Sequence, residues 1–359
     1  MAPPLSARIQ AHLRDTVAAS AEVVEVAPLS GGACQEMFRV EIAGLAGVRG
    51  APGEGPWRLA LRADAAQSLP GSVPRSVEFA VIAAAVRAGV PTPRARWFAQ
   101  GLLRDGAGAY FLDWVEGEAI GSRVVRHPRL AAARAHLPGQ LARALAGVHA
   151  VTPETDPELP LGAPPDDAAQ ATLDGLRETL DQLPEPQPGL ELAFAWLDRH
   201  RPAAGRVTLV HGDFRTGNFV VGPDGLVGVL DWEFTHWGDP MDDLGWLCMR
   251  DWRFGELARP AGGLATRADF YQAYADASGV PVDPAAVHWW EIAANLRWGT
   301  GAVYQGLRYM MGRSGDIEML AIPRRVAEMA WEALRLLDRG PPDLPILPPN
   351  PGGGRAEPA

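Results

Sequence analysis

The chain has 359 residues, 47% hydrophobic and 21% charged, the balance of a soluble globular protein with room for a sizeable core. A formal net charge of −10 argues against a general nucleic-acid binder, and no apolar run reaches the length of a membrane span. The N-terminal stretch lacks the continuous apolar segment of a secretory signal, and two cysteines, Cys34 and Cys248, suggest neither a disulfide framework nor a zinc site, so the cytoplasm is the expected compartment.

All 33 basic side chains are arginine, which excludes any chemistry that depends on lysine. Residues 6–18 read as an amphipathic helix. The stretch "AEVVEVAPLSGGACQEMFRVEIAG" then reads as strand, glycine turn and strand. Residues 44–56 are a loop by composition, and "WRLALRA" (57–63) is a third strand. Ser72 and Pro74 open a helix that runs to about Arg87, and "ARWFAQ" and "AYFLDWV" are further strands. Residues 1–112 are therefore expected to form a small lobe, mostly antiparallel sheet with one inserted helix.

Beyond "EGEAI" the pattern turns helical at 127–149, 166–182 and 188–203, and again at 240–250, 266–278, 284–311 and 316–338. The expected class is α+β, two-lobed, with a connector at 113–117, a larger helical lobe at 118–340 and a mobile Pro/Gly-rich tail at 341–359.

The helical lobe is interrupted by "HGDFRTGNFVVGPDGLVGVLDWE", from His211 to Glu233. "VTLV" (207–210) is a short strand, "GDFRTG" a loop, and "PDG" (223–225) the turn of a hairpin between two β-branched runs. A hairpin centred on Asp224 sets Asn218 nearly opposite Leu230 and Asp231, at the open end and beside Asp213. Oxygen ligands from Asn and Asp suit Mg²⁺, which keeps waters and binds few protein groups together with substrate phosphates. Asp213 then stands free to orient and deprotonate an acceptor hydroxyl, which is the layout of phosphoryl transfer. His211 is expected to hold the loop.

"HGDFRTGNF", "VLDWE" and "GDPMDDLGWL" resemble the aminoglycoside phosphotransferase and choline kinase superfamily, small-molecule kinases with a protein-kinase-like fold. "CMRDWRFG" (248–255) adds a likeness to the subgroup related to the kinase-like domain fused to some acyl-CoA dehydrogenases. The resemblance covers about residues 20–338. It implies ATP and Mg²⁺ as cofactors, Asp213 as catalytic base, Asn218 and Asp231 as metal ligands, and Asp243 as an anchor of the catalytic loop. It also implies a phosphate-cradling turn at Ser30, Gly31 and Gly32. Arg62 would stand where related kinases often carry lysine, with Glu78 as its ion-pair partner. Adenine would bond to the Asp113 carbonyl and the Val115 amide.

The acceptor is expected against residues 287–313, which carry Trp290 and Arg297, and beside Arg250 and Arg253. Trp298 and Tyr309 are assigned to the core. That segment has one carboxylate, Glu291, against Arg297, Arg308 and Arg313, so an anionic or apolar hydroxylated acceptor is expected rather than a polycation. The subgroup likeness implies a 4-hydroxyacyl-CoA. An antibiotic-modifying kinase and a non-catalytic nucleotide-binding module are the alternatives. The expected partner is a small molecule, with no nucleic acid or membrane, and the chain is expected to act as a monomer or homodimer.

Overall fold

A computed structural model describes residues 3–29, 36–52, 55–64, 69–312 and 317–350. The chain opens with α1 (Leu5–Thr16), β1 (Glu22–Pro28), β2 (Glu36–Ala43) and β3 (Trp57–Ala63). Helix α2 (Arg75–Arg87) and strands β4 (Ala95–Gln100) and β5 (Gly108–Asp113) follow. The five strands form one antiparallel sheet in the order β1-β2-β3-β5-β4. Alternation along the central β3 sends Leu59, Leu61 and Ala63 into a core shared with Ile9 and Leu13 of α1. Arg62 lies on the opposite face and bonds to Glu78 of α2. Its burial on a central strand would be costly without such a partner.

After β5 the chain enters α3 (Gly121–Arg126), a 3₁₀ turn at Pro128–Leu130 and α4 (Ala131–His149). Next come α5 (Ala168–Asp181), α6 (Pro188–Arg199), β6 (Thr208–Val210), β7 (Phe219–Gly222), β8 (Gly225–Val229) and β9 (His236–Gly238). The lobe is completed by α7 (Met241–Cys248), α8 (Arg267–Ser278), α9 (Pro284–Met310), α10 (Glu318–Ala321) and α11 (Val326–Arg339). A second, larger core joins α2 to these helices through Val81, Ile82, Leu141, Leu145, Trp289 and Leu296. This arrangement is the two-lobed, kinase-like α+β fold.

The hairpin β7–β8 forms with Gly222 opposite Gly225 and Phe219 opposite Val229. Leu230 N–H donates to the Asn218 carbonyl at 2.8 Å, so Asn218 and Asp231 stand together at the open end. β9 escaped the sequence reading, because three residues carry too little periodicity to reveal a strand. It pairs with β6 and fixes both ends of the loop between them.

Two expectations need correction. The helix expected over 316–338 is broken by a 3₁₀ turn at Ile322–Arg325, where Pro323 removes a backbone donor. The described part of the tail, 341–350, is docked: Leu347 exchanges two backbone hydrogen bonds with Val282, and Asn350 bonds to Asp276. Leu344 and Leu347 pack on the larger core.

Candidate active site

The 211–218 loop hangs between β6 and β7, and a single buried carboxylate holds it. Asp243, in the first turn of α7, accepts the His211 N–H at 2.7 Å and the Gly212 N–H at 2.9 Å, and lies 3.1 Å from His149 Nε2. Burial opposes its charge, but these hydrogen bonds and the His149 ring hold the carboxyl below the usual range. The Asp213 N–H donates to His211 Nδ1, which leaves Nε2–H to donate to the Leu230 carbonyl. Burial pushes the pKa of that ring below the usual imidazole range. Gly212 has φ +77°, and a Cβ there would meet the Phe234 carbonyl at 2.2 Å, so only glycine fits this crossing.

Three donors converge on the Asp213 carboxylate. Trp246 Nε1 reaches Oδ1 at 2.7 Å, Arg215 Nε reaches Oδ1 at 2.9 Å and Asn218 Nδ2 reaches Oδ2 at 2.6 Å. Burial pushes this carboxyl up, and Arg215 opposes the rise. Asn218 Nδ2 also donates to the Asp213 carbonyl. That use of the amide nitrogen leaves the Asn218 side-chain oxygen as the acceptor for another group. Asp231 sits at φ +67°, an uncommon conformation for aspartate, and accepts Arg62 at 2.6 Å.

Arg62 is buried with Glu78, at 3.1 Å from Nε to Oε2 and 3.0 Å in the second ion pair. The sequence reading missed the rest of this network. Arg75, in the first turn of α2, bonds Glu78 and reaches Glu233 at 3.3 Å, and its backbone N–H bonds Asp64 at 3.1 Å. The Val73 N–H donates to the Glu233 carbonyl at 2.7 Å, which staples the start of α2 to the strand end carrying Asp231. Burial, then the charge of Asp231, raise Glu233 to about 7. The "DWE" triplet was the available signal for Glu233; Arg75 gave none.

A cleft of about 850 Å³ lies between sheet and helices, with Arg62, Asp213, Asn218 and Asp231 in its wall. Leu112 and Ala119, which bracket Asp113 and Val115 in sequence, line it near the connector. Ser30, Gly31 and Gly32 fall outside the described residues. Arg297 lines the cleft, stacked on Trp246 at 4.2 Å and bonded to Asp242 and to the Gly212 carbonyl. Trp298, expected in the core, packs half-buried against Trp246, Met249 and Trp252 and also lines the cleft.

The other acceptor candidates are not brought to the cleft. Arg253 is buried, with two bonds to the Cys248 carbonyl and an ion pair to Glu291, so it serves the fold of the 248–255 segment. Trp290 is buried in the larger core against Trp289. Arg250 points to Trp331 and Glu332 on the outer face. Glu291 is consumed by Arg253 and Arg267. In their place stands Arg215, two residues from Asp213.

Among the described residues no cluster of three or more His, Cys, Asp or Glu side chains is placed to hold a metal. The Asn218 and Asp231 oxygens fit instead a hard cation held by few protein ligands.

A five-stranded sheet over a helical lobe, with a pinned His-Gly-Asp loop and an Asn/Asp hairpin in the cleft, makes the two-lobed, kinase-like arrangement of a phosphotransferase family. The sequence model of the APH phosphotransferase enzyme family matches residues 25–290, and the chain belongs to that family. It is 28% identical over 164 residues to acyl-CoA dehydrogenase family member 10 of Mus musculus, a match covering 40% of this chain and 15% of the mouse protein. The chain thus spans a small part of that relative. A crystal structure from Ralstonia eutropha JMP134, named for the aminoglycoside phosphotransferases, superposes with a TM-score of 0.69 at 20% identity, covering 93% of this chain and 98% of that one. A thermostable variant of aminoglycoside phosphotransferase APH(4)-Ia, in complex with ADP and hygromycin B, gives 0.59 at 12% identity, covering 91% and 98%. At these identities the likeness to the solved structures is one of fold.

Proposed function

We propose that this chain transfers the terminal phosphoryl group of ATP to a hydroxyl of a small anionic or acyl metabolite, such as a 4-hydroxyacyl-CoA. The observation that carries the reading is the Asp213 carboxylate, fixed by three donors in the cleft wall beside Asn218 and Asp231. Asp213 would orient the acceptor hydroxyl and take its proton. Asn218 and Asp231 would hold Mg²⁺, which supplies charge neutralisation on the phosphates when bound. Arg62, positioned by Glu78, would face the nucleotide phosphates. The setting is cytoplasmic in this reading, with the chain as monomer or homodimer; among the described residues no helix is long and apolar enough to cross a membrane.

The sign of charge favours this acceptor over an aminoglycoside. On the helical side of Asp213 the described lining is Arg215, Arg297, Trp246, Trp252, Trp298 and Tyr304, with Asp213 itself and Asp242, the partner of Arg297, as the carboxylates beside the two guanidiniums. A polycation would meet like charge there.

The reading is tested by giving the purified protein ATP and Mg²⁺ with a panel of hydroxyacyl-CoA thioesters, choline-like alcohols, sugars, aminoglycosides and macrolides, and reading products by mass spectrometry. Phosphorylation of the hydroxyacyl set is expected. Its acceptor KM should rise with salt, since exposed charge attraction is screened over about 8–10 Å at moderate ionic strength. Arg297→Glu should raise the acceptor KM while leaving the ATP KM near wild type. Turnover of aminoglycosides alone would overturn the reading and support the resistance alternative.

Arg62 gives a second test. Arg62→Ala should raise the ATP KM and lower kcat, and should destabilise the fold by about 3–5 kcal/mol, because a buried pair loses one partner. Arg62→Lys should keep measurable activity at reduced nucleotide affinity, because a point charge replaces a planar fork. Steady-state kinetics and thermal unfolding read both; wild-type kinetics for Arg62→Ala would move the phosphate cation elsewhere.

A further inference from the structure

Two arginine–tryptophan stacks flank Asp213. Arg297 lies on the face of Trp246 at 4.2 Å, and the edge of the same indole donates to Asp213 Oδ1. Arg215 lies on the face of Trp252 at 4.4 Å and donates its Nε to that same oxygen. Trp252 in turn packs on Trp246 at 5.7 Å and on Trp298 at 5.6 Å. The aromatic wall therefore belongs to the helices of the large lobe. Arg62 comes from the sheet and bonds Asp231 at the hairpin mouth, whereas Arg215 lies among the tryptophans of the large lobe, the side proposed for the acceptor.

The loop is shaped to admit this guanidinium. Gly217 has φ +112°, and a Cβ there would meet Arg215 Nη1 at 2.7 Å. Nη1 has only a 3.5 Å approach to the Thr216 carbonyl, and Nη2 has no hydrogen bond among the described residues. Arg215 lines the cleft with its side chain about a quarter exposed, 24%. It is thus a stacked cation with a free edge, next to the oxygen that must receive a proton.

That contact has a consequence for the reaction. Oδ1 is already occupied by Trp246 and Arg215, and Oδ2 by Asn218. A carboxylate that accepts a charge-assisted bond is a weaker base, because the bond stabilises its charged form. We infer that Arg215 recognises the acceptor: it exchanges Asp213 Oδ1 for an acyl oxygen, carboxylate or thioester carbonyl, lying a few bonds from the hydroxyl, and so frees Oδ1 for the hydroxyl proton. An acceptor with such an oxygen activates the base as it binds. An alcohol without one leaves Arg215 on Asp213 and is a poor substrate. The Trp252 face keeps the guanidinium plane in place during the exchange, since cation–π stacking does not depend on which oxygen the edge bonds. The inference rests on the hydroxyl-phosphorylating reading above and adds the chemical group that the site selects.

The test compares three acceptors that differ at one group: a 4-hydroxyacyl-CoA, the free 4-hydroxy acid, and a secondary alkanol of the same carbon chain. The wild-type protein should phosphorylate the two acyl compounds and turn over the alkanol poorly. Arg215→Met should raise the acceptor KM for both acyl compounds roughly ten- to a hundredfold, the weight of one charge-assisted hydrogen bond. Its ATP KM should stay near wild type. Its alkanol turnover should rise because Asp213 Oδ1 no longer carries the guanidinium bond, so that the acyl-over-alkanol preference collapses, and Arg215→Lys should recover part of that preference. Thermal unfolding and ADP affinity establish that the variants fold, with Arg215→Gln as the replacement should Met not be tolerated. An equal fall in kcat for all three acceptors at unchanged acceptor KM would overturn the inference and leave Arg215 as a support for Asp213. A rise in the ATP KM alone would overturn it in favour of a phosphate contact. Wild-type turnover of neither acyl compound would bring down the acceptor reading itself, whereas acyl turnover with an indifferent Arg215→Met would bring down only the role of Arg215.

Discussion

Asp213→Asn is expected to slow phosphoryl transfer by about 10²–10⁴-fold, the range a positioned general base contributes. Mg²⁺-nucleotide affinity should remain near wild type, because Asp213 bonds to Trp246, Arg215 and Asn218 and, among the described residues, to no group on the sheet. The substitution keeps the shape of the side chain but removes its charge. It also presents an amide N–H₂ where three donors already point, so one contact must open. Asp213→Ser, which is short enough to leave that space to water, separates the two effects. Loss of kcat in both variants, with nucleotide binding by calorimetry retained, is the expected pattern. Wild-type kcat for Asp213→Asn with a true acceptor would remove Asp213 from the chemistry.

Asp231→Ala should abolish the dependence of nucleotide affinity on Mg²⁺. It should also cost several kcal/mol of transition-state charge stabilisation, about 10²–10⁴-fold in rate at 1.36 kcal/mol per factor of ten. The structure adds a sharper signature. Asp231 accepts Arg62 at 2.6 Å, so removing it lifts one carboxylate from a cation that Glu78 still holds and leaves more of its charge for the phosphates. Metal-free ATP should therefore bind the variant at least as well as the wild type, while Mg²⁺ gives no further gain. Asn218→Ala should be milder, since it removes a neutral ligand, although it also strips a donor from Asp213. Calorimetry with and without Mg²⁺ reads all of this. A wild-type response of Asp231→Ala to Mg²⁺ would place the cation elsewhere.

The part of the site that the sequence made legible is local. The turn chemistry of Pro223-Asp224-Gly225 sets the hairpin register, and the register alone brings Asn218 to Leu230 and Asp231. Asp213 follows because five residues of loop reach back no further than the hairpin mouth, where Asn218 Nδ2 meets its carboxylate. Arg62 and Glu78 were legible by strand and helix position, through the family pattern.

The tryptophan–arginine wall of the cleft was not legible, because it is made of pairs distant in sequence. Trp246 reaches Asp213 across 33 positions, and Arg297 reaches the Gly212 carbonyl across 85. Composition could say that the 287–313 segment was rich in arginine and tryptophan. It could not say which of them a helix turns inward. Burial decided that Trp290 belongs to the core while Trp298 lines the cleft. A single carboxylate, Glu291, decided that Arg253 is spent on the fold.

The sequence by itself therefore determined the fold class, the family and the hairpin that gathers Asp213, Asn218 and Asp231, since turn residues and strand alternation act over a few positions. Tertiary structure alone decided the Arg75–Glu233 link, the docking of residues 341–350 and which arginines line the cleft, Arg215 and Arg297 rather than Arg250 and Arg253. Those depend on which buried charges find partners, and a partner is selected by packing between elements, which no short stretch of sequence contains.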